Sequence, residues 1–354
     1  MPTLTLQTPA DYSLARDVCS YGYFLVAPNY WDTRSRTLWR VLSLAGGPVL
    51  VHVAQGEGRG ARGSPLKVRL SRPLRGGERA ELKAQIGRML RLSESRETIR
   101  EFHRLDARFA RSGRGRLFRS PTLFEDVIKT VTSCNVTWPN TVNMNRRLCE
   151  VVGARVDITD VRKAMGAAAR GLKGSAAQNH TDPLTLLPLR AFPTAAQLAR
   201  QRPQRLRAMC RVGYRDARIV ELARLFSISP ARGGVDQAAL EDPATPDDTV
   251  FETLLELPGI GPYAAANIMQ LLGRFGRLPL DTESVRHGKT VLGMKGSGAQ
   301  IMKRMARHYA PFGGHAFRSY WFELWDFYEG KHGRAWTWEK DTTGRMFTAA
   351  LLNK

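Results

Sequence analysis

The segment ETLLELPGIGPYAAANIMQLLGRF, residues 252–275, constrains this chain more than any other. Apolar residues recur at helical spacing on both sides of Leu257-Pro258-Gly259-Ile260-Gly261. The pattern predicts two short amphipathic helices joined by a tight turn. Pro258 stops the first helix, because a proline disfavours helical backbone in the residue before it. Gly259 and Gly261 permit a sharp turn without a Cβ clash. Pro262 opens the second helix at a position where its missing N–H costs nothing. Ala264, Ala265 and Ala266 let the two helices approach closely. Free backbone N–H groups at such a helix N-terminus suit an anion, and a phosphate is the obvious one. The Leu257 and Gly259 backbone is a candidate seat for a monovalent cation, K+ or Na+. A plain helical hairpin with glycine in its turn shares the same local pattern.

The charge points the same way. Lys and Arg total 54 against 32 acids, giving a formal net charge of +22, and 43 of the 54 are Arg. Genomic base composition can favour Arg over Lys, but it does not produce an excess of bases over acids. A field this positive attracts polyanions, of which nucleic acid is the commonest inside cells. No apolar run is long enough for a membrane helix. The opening MPTLTLQTPADYSLARD lacks a basic stretch followed by an apolar one. The expectation is a soluble, intracellular, monomeric protein (in the cytoplasm or nucleoid, or nuclear in a eukaryote). Cys19, Cys134, Cys149 and Cys210 are scattered with no CxxC pair. No zinc site or iron–sulfur cluster is indicated, and reduced, partly buried thiols are expected.

Residues 1–75 read as a β-rich domain. Leu38–Val41, Val49–Val53 and Leu66–Leu70 are strand candidates, Tyr21–Leu25 is aromatic and apolar, and GEGRGARGSP at 56–65 reads as a mobile hairpin tip. From Glu78 the pattern turns helical, over Ala80–Leu92 and Glu97–Phe109. After the basic link at 111–121, Leu123, Phe124, Val127, Ile128 and Val131 form one apolar helix face. Residues 155–190 are weakly patterned. Helices are predicted again over Ala195–Met209, Arg215–Phe226, Val250–Glu256, Pro262–Phe275, about Gly298–Tyr309 and about Ala316–Tyr328. The division that follows is a β-rich domain over 1–75, a helical domain from both chain ends over 76–117 and 290–330, a helical barrel domain over 118–289, and a docked tail over 331–354 containing Trp336 and Trp338.

GRLPLDTESVRHG, residues 276–288, places Asp281 after Pro279 and before a predicted helix over Thr282–His287. Asp281 is then a helix N-cap, an ordinary role worth about 1 kcal/mol. The combination of hairpin, Gly/Pro loop and Pro-x-Asp-Thr resembles the helix-hairpin-helix DNA glycosylase superfamily, over roughly residues 118–330. The resemblance implies a mainly α, two-lobed fold with a small N-terminal antiparallel β domain. It implies damaged double-stranded DNA as the partner and Asp281 as the essential acid. A carboxylate near C1′ stabilises the oxocarbenium-like state formed as the base leaves. Members that also nick the strand carry a Lys where this chain has Tyr263, so the resemblance implies a monofunctional enzyme.

MCRVGYRDARI, 209–219, and TSCNVTW, 132–138, are similar to segments of 8-oxoguanine glycosylases. By that match Tyr214 wedges into the stack, Arg215 contacts the orphaned partner base, and Asn135 fills the gap. HAFRSYWFELW, 315–325, resembles instead a segment of bacterial 3-methyladenine glycosylases. Phe317 stands where an 8-oxoguanine enzyme carries a Gln. An aromatic base pocket of Phe317, Tyr320, Trp321 and Tyr263, joined by Tyr21 or Phe24, suits a cationic alkylpurine. Gly259 and Gly261 are candidate phosphate contacts, and Arg286 and His287 are candidates either for phosphate contact or for bridging Glu283. Glu283, where many relatives have His, either raises the Asp281 pKa or faces solvent. Three readings stay open: an alkylpurine glycosylase with 8-oxoguanine as the alternative lesion, a non-catalytic hairpin DNA binder, and an RNA-associated protein. A pure binder has no need of Asp281 and would usually carry tandem hairpins, whereas one hairpin is found.

Overall fold

A computed structural model describes residues 2–56, 63–169, 187 and 189–339, with only the backbone of 165–169. The hairpin tip expected at 56–65 and the tail beyond residue 339 fall largely outside the described residues, as does most of 170–188. The chain is mainly helical with one antiparallel sheet of five strands, in the order β1-β5-β4-β3-β2. The strands are β1 Thr3–Leu6, β2 Asn29–Asp32, β3 Thr37–Leu44, β4 Gly47–Gln55 and β5 Leu66–Leu70. β3 and β4 pair with Leu38 opposite Val53 and Val41 opposite Leu50. The two-residue connection Ala45-Gly46 runs into Gly47 at φ 111°, a conformation that favours glycine.

The helices are α1 Leu14–Val18, α2 Glu78–Met89, α3 Arg96–Leu105, α4 Leu123–Ser133, α5 Trp138–Val151, α6 Ile158–Ala169, α7 Ala195–Ala199 and α8 Pro203–Arg205. They continue with α9 Asp216–Ser227, α10 Gln237–Glu241, α11 Asp247–Leu255, α12 Pro262–Leu272, α13 Thr282–Thr290, α14 Gly298–Tyr309 and α15 Ala316–His332. No described helix is long and apolar enough to cross a membrane.

Two main cores follow from this order. One joins a sheet face, through Leu38, Leu42, Val51 and Val53, to Leu82 and Ile86 of α2 and to Phe317, Phe322 and Trp325 of α15. The other joins Val127 and Ile128 of α4 to Ile219 and Ala223 of α9 and Ala265 and Ile268 of α12. The opposite sheet face carries Trp39, Val41 and Leu50, and Val161 and Ala164 of α6 cover it. Burial on both faces explains why β3 and β4 read as nearly unbroken apolar runs. Helix α13 crosses the sequence boundary at residue 289, and Val285 packs against the first core.

Several elements differ from the sequence reading. Within the β-rich region, the aromatic and apolar stretch Tyr21–Leu25 holds a 3-10 turn over Gly22–Leu25. The single helix expected over Ala195–Met209 is broken, because Pro203 cannot continue it; α7, α8 and a π-turn over Leu206–Cys210 replace it. α5 starts on Trp138-Pro139 and has no counterpart in the sequence reading. All four cysteines are free thiols.

α4 is buried from Leu123 to Thr132, including its charges. Arg40 of β3 reaches Glu125, and Lys129 pairs with the same carboxylate at 2.7 Å with none of its side chain exposed. Burial alone would raise the Glu125 pKa, yet the two cations hold it below its ordinary value. Arg88 of α2 pairs with Asp126 at 2.7 Å. Removing one member of a buried ion network strands the other charges. Glu125→Gln should therefore lower the unfolding free energy by about 3–5 kcal/mol, read by urea denaturation. A loss below about 1 kcal/mol would show that the network is not holding the sheet to α4.

Candidate active site

The hairpin forms as the sequence predicts. α11 ends at Leu255 and α12 begins at Pro262, with Leu257 and Ile260 buried and Gly259 and Gly261 exposed between them. The Ile260 N–H bonds to Leu257 O at 3.0 Å and closes the turn. Only one of the two glycines is required by backbone geometry. Gly259 has φ 77°, and a Cβ there would meet the Arg218 side chain at 2.6 Å. Gly261 is extended at φ −96°, and a Cβ there would meet nothing within 4 Å.

Asp281 is half-buried at the N-cap of α13. Its Oδ1 accepts the Ser284 N–H at 3.0 Å and the Ser284 hydroxyl at 3.2 Å, and Ser284 Oγ accepts the Asp281 N–H at 3.3 Å. Ser284 is fully buried, and its hydroxyl lies 3.0 Å from Tyr320 Oη. With the Ser284 proton directed at Asp281, Tyr320 donates to Ser284, and a short chain of donors ends on the carboxylate. Burial raises the Asp281 pKa above its ordinary value. Hydrogen bonds from Ser284 and Tyr263 oppose this, and the Glu283 charge adds to it.

Asp281 opens onto a cavity of about 370 Å³, a size suited to a small organic ligand. Tyr263, Phe317, Tyr320 and Trp321 all line it, so four aromatic residues singled out in the sequence meet the acid there. Tyr21 joins them, 4.7 Å from Trp321 between ring centroids. Phe317 and Trp321 stack at 5.7 Å with planes 17° apart. Phe24 is fully buried and does not line the cavity. The indoles of Trp321 and Trp325 donate to Ser20 O and Cys19 O at 2.8 and 3.0 Å, which fixes this wall to the N-terminal segment. Trp138, Thr141, Asn267, Glu283 and Tyr328 also line the cavity and were not assigned to it from sequence. Only Glu283 carried a signal, its position two residues after the acid. The described lining contains no Lys, Arg or His.

Outside the cavity, Tyr214 is 53% exposed, and Asn135 is exposed at φ 51°, a left-handed conformation that asparagine tolerates. Arg215 is placed differently from expectation. It is buried, donates from Nε to Val131 O at 3.1 Å and from Nη2 to Cys134 O, and lies 4.5 Å under the Tyr214 ring. Its guanidinium caps the carbonyl end of α4 and is not presented to an orphaned base. It also lies beside Asn135 O at 3.4 Å, so it braces both exposed candidates, Tyr214 and Asn135. Of the two roles expected for Arg286, phosphate contact or bridging Glu283, the structure shows the bridge. Arg286 is 7% exposed, packs 4.5 Å from the Phe327 ring centre, and is engaged by Glu283. His287 is buried with Nε2 2.8 Å from Glu323.

A raised carboxyl pKa means that folding favours the protonated form, so the ionised form is reached only at higher pH than in the unfolded chain. An NMR titration of Asp281 should give a midpoint above 3.8, the ordinary value. Glu283→Gln should bring it down by removing the like charge. A wild-type midpoint at or below the ordinary value would contradict this picture of the site.

The fold these elements define is shared with solved DNA glycosylases. Among solved structures it is similar to the 3-methyladenine DNA glycosylase from Archaeoglobus fulgidus, at 18% identity over 92% of this chain and 99% of that one, with a TM-score of 0.61. It is similar also to the 8-oxoguanine glycosylase/lyase of Clostridium acetobutylicum in its apo form, at 14% identity over 91% and 95% of the chains, with a TM-score of 0.60. The complex of that enzyme with double-stranded DNA containing cytosine opposite 8-oxoguanine matches at 16% identity over 87% and 93%, with a TM-score of 0.53. No family model matches the sequence, and no curated protein matches it.

Proposed function

We propose that this protein is a monofunctional DNA glycosylase of base excision repair that hydrolyses the N-glycosidic bond of an alkylated purine turned out of duplex DNA. The observation that carries the reading is Asp281 at the edge of an aromatic cavity, one helix away from a phosphate-binding type of turn. The basic surface draws in duplex DNA in a salt-dependent way. The Gly259–Gly261 turn holds a phosphate, and a K+ or Na+ ion on the Leu257 and Gly259 carbonyls would add positive charge there. Gly261 supports this role: its backbone tolerates any residue, so the missing side chain serves a close approach from outside. Tyr214 and Asn135 stand exposed where a gap in the stack could be filled.

The everted base enters the cavity between aromatic walls. As the C1′–N bond breaks, electrons leave with the base and positive charge grows on the sugar, and the Asp281 carboxylate stabilises that charge and orients the attacking water. Tyr320 and Ser284 hold the carboxylate by hydrogen bonds. The walls favour a cationic base. They supply π faces and two carboxylates, and no basic side chain among the described lining repels a cation. The absence of a lining lysine among the described residues supports hydrolysis without strand nicking, because no amine is placed to attack the sugar.

Release of free base from randomly methylated duplex DNA tests the reading, beside duplexes holding 8-oxoguanine or uracil. Methylpurine release is expected. Asp281→Asn should retain DNA binding and lose base release by at least about a hundredfold, since a single preorganised charge group contributes that much. Release at the wild-type rate would remove Asp281 from the mechanism. Borohydride should trap no covalent protein–DNA adduct, and a trapped adduct would make the enzyme a lyase as well. Gly261→Ala should keep stability within about 0.5 kcal/mol while weakening binding to every duplex alike; unchanged affinity would take the turn out of the DNA contact.

A further inference from the structure

Glu283 shares the cavity with Asp281 and takes no part in the bond-breaking step above. Its surroundings are one-sided. Arg286 donates to its Oε1 twice, from Nε at 2.9 Å and from Nη2 at 2.6 Å. Tyr328 donates to the same oxygen at 2.8 Å. An arginine fork facing a carboxylate commonly spreads over both oxygens. Here three hydrogen bonds converge on one, and no bond within the described residues goes to Oε2. Arg286 is itself fixed, buried between Glu283 and the rings of Phe327 and Tyr328. The carboxylate is therefore held in one orientation at the cavity wall, and its second oxygen has no hydrogen bond among the described residues. Solvent reaches 23% of the side chain.

Such a group is an acceptor with charge, held rigid before anything binds. It matches a ligand that offers an N–H donor and positive charge together. We infer that Glu283 is the specificity-determining residue of the cavity, accepting a hydrogen bond from an N–H on the edge of a cationic purine and disfavouring neutral purines. The inference rests on the proposed glycosylase reading for its biological setting, but the binding it describes involves no chemistry. A cationic alkylated adenine keeps its exocyclic amino group and carries the charge in the same ring, so it satisfies both features. A neutral purine satisfies at most the hydrogen bond. Tyr328 and Arg286 are positioning residues for Glu283, and neither needs to touch the base.

The test is equilibrium binding of two small probes, followed by the fluorescence of the cavity tryptophans. One probe is 3,9-dimethyladeninium, a permanent cation with a free amino group. The other is 9-methyladenine, its neutral counterpart. Wild-type protein should bind the cation at least about tenfold more tightly, in line with the greater strength of charge-assisted hydrogen bonds. Glu283→Gln keeps the shape and an acceptor oxygen but loses the charge, and it should collapse that ratio to near one. Tyr328→Phe retains the charge, loosens its orientation, and should reduce the ratio by a smaller factor. A merely structural Glu283 would weaken both probes equally and leave the ratio unchanged, which would overturn the inference. So would a wild-type protein that binds neither probe or prefers the neutral one. Base release from methylated duplex is measured in parallel. Release with an unchanged probe ratio in Glu283→Gln rejects the role of Glu283 and keeps the glycosylase reading. A ratio that collapses as expected, with no release from any duplex, keeps the role of Glu283 and rejects the glycosylase reading.

Discussion

The buried contact of Arg40 and Lys129 with Glu125 governs the joint on which the cavity depends. One cation comes from the sheet and the other two charges from α4, so the network spans the two lobes. Lys129 also lies 5.3 Å from the ring centre of Tyr23, and the Tyr23 hydroxyl meets Thr130 Oγ1 at 3.1 Å. Tyr23 in turn sits edge-on to Tyr21, a wall of the cavity. A buried charge network is a poor source of net stability, because desolvation offsets much of the attraction. It is strict about geometry, however, since each group must find its partner. The joint therefore fixes where the N-terminal aromatics stand relative to Asp281.

The same logic extends along the seam. Arg91 and Arg119 donate to Gln270 O and Leu271 O at 2.7 Å each, closing the carbonyl end of the second hairpin helix. Arg215 does the same for α4. Part of the large arginine excess is thus spent inside the protein, at helix ends where a planar cation satisfies carbonyls that would otherwise be buried without donors. The formal net charge of +22 therefore overstates how many arginines face the solvent.

The hairpin and Asp281 were legible in sequence because their signals are local. Turn glycines, helix-stopping prolines and an N-cap aspartate act within a few residues of one another. The aromatic residues Phe317, Tyr320 and Trp321 were legible as a helix stripe, and the structure turns that stripe toward the acid. Trp138 and Tyr328 were not legible, since what brings them to the cavity is the packing of α5 and α15 against distant segments. Arg215 marks a different limit. A motif supplies a residue type at a position, whereas the direction of a long flexible side chain is set by whichever carbonyl or carboxylate lies within reach. The β3 and β4 strands were found by apolar content, but β1 and β2 are short and lie at the sheet edges, where the pattern is too brief to register.

The first hydrophobic core is assembled from the two ends of the chain, with Leu4 to Phe118 on one side and Leu271 to Trp338 on the other. The sheet face packs against α2, close by in sequence, while α15 brings the other end of the chain into the same core. The lobe between them, with α4, α9 and α12, has its own core, and the indoles of Trp321 and Trp325 tie the two chain ends together at the carbonyls of Ser20 and Cys19. The cavity walls are drawn from both ends as well, Tyr21 from one and Phe317, Tyr320 and Trp321 from the other, so the cavity exists only where residues far apart in sequence are held together.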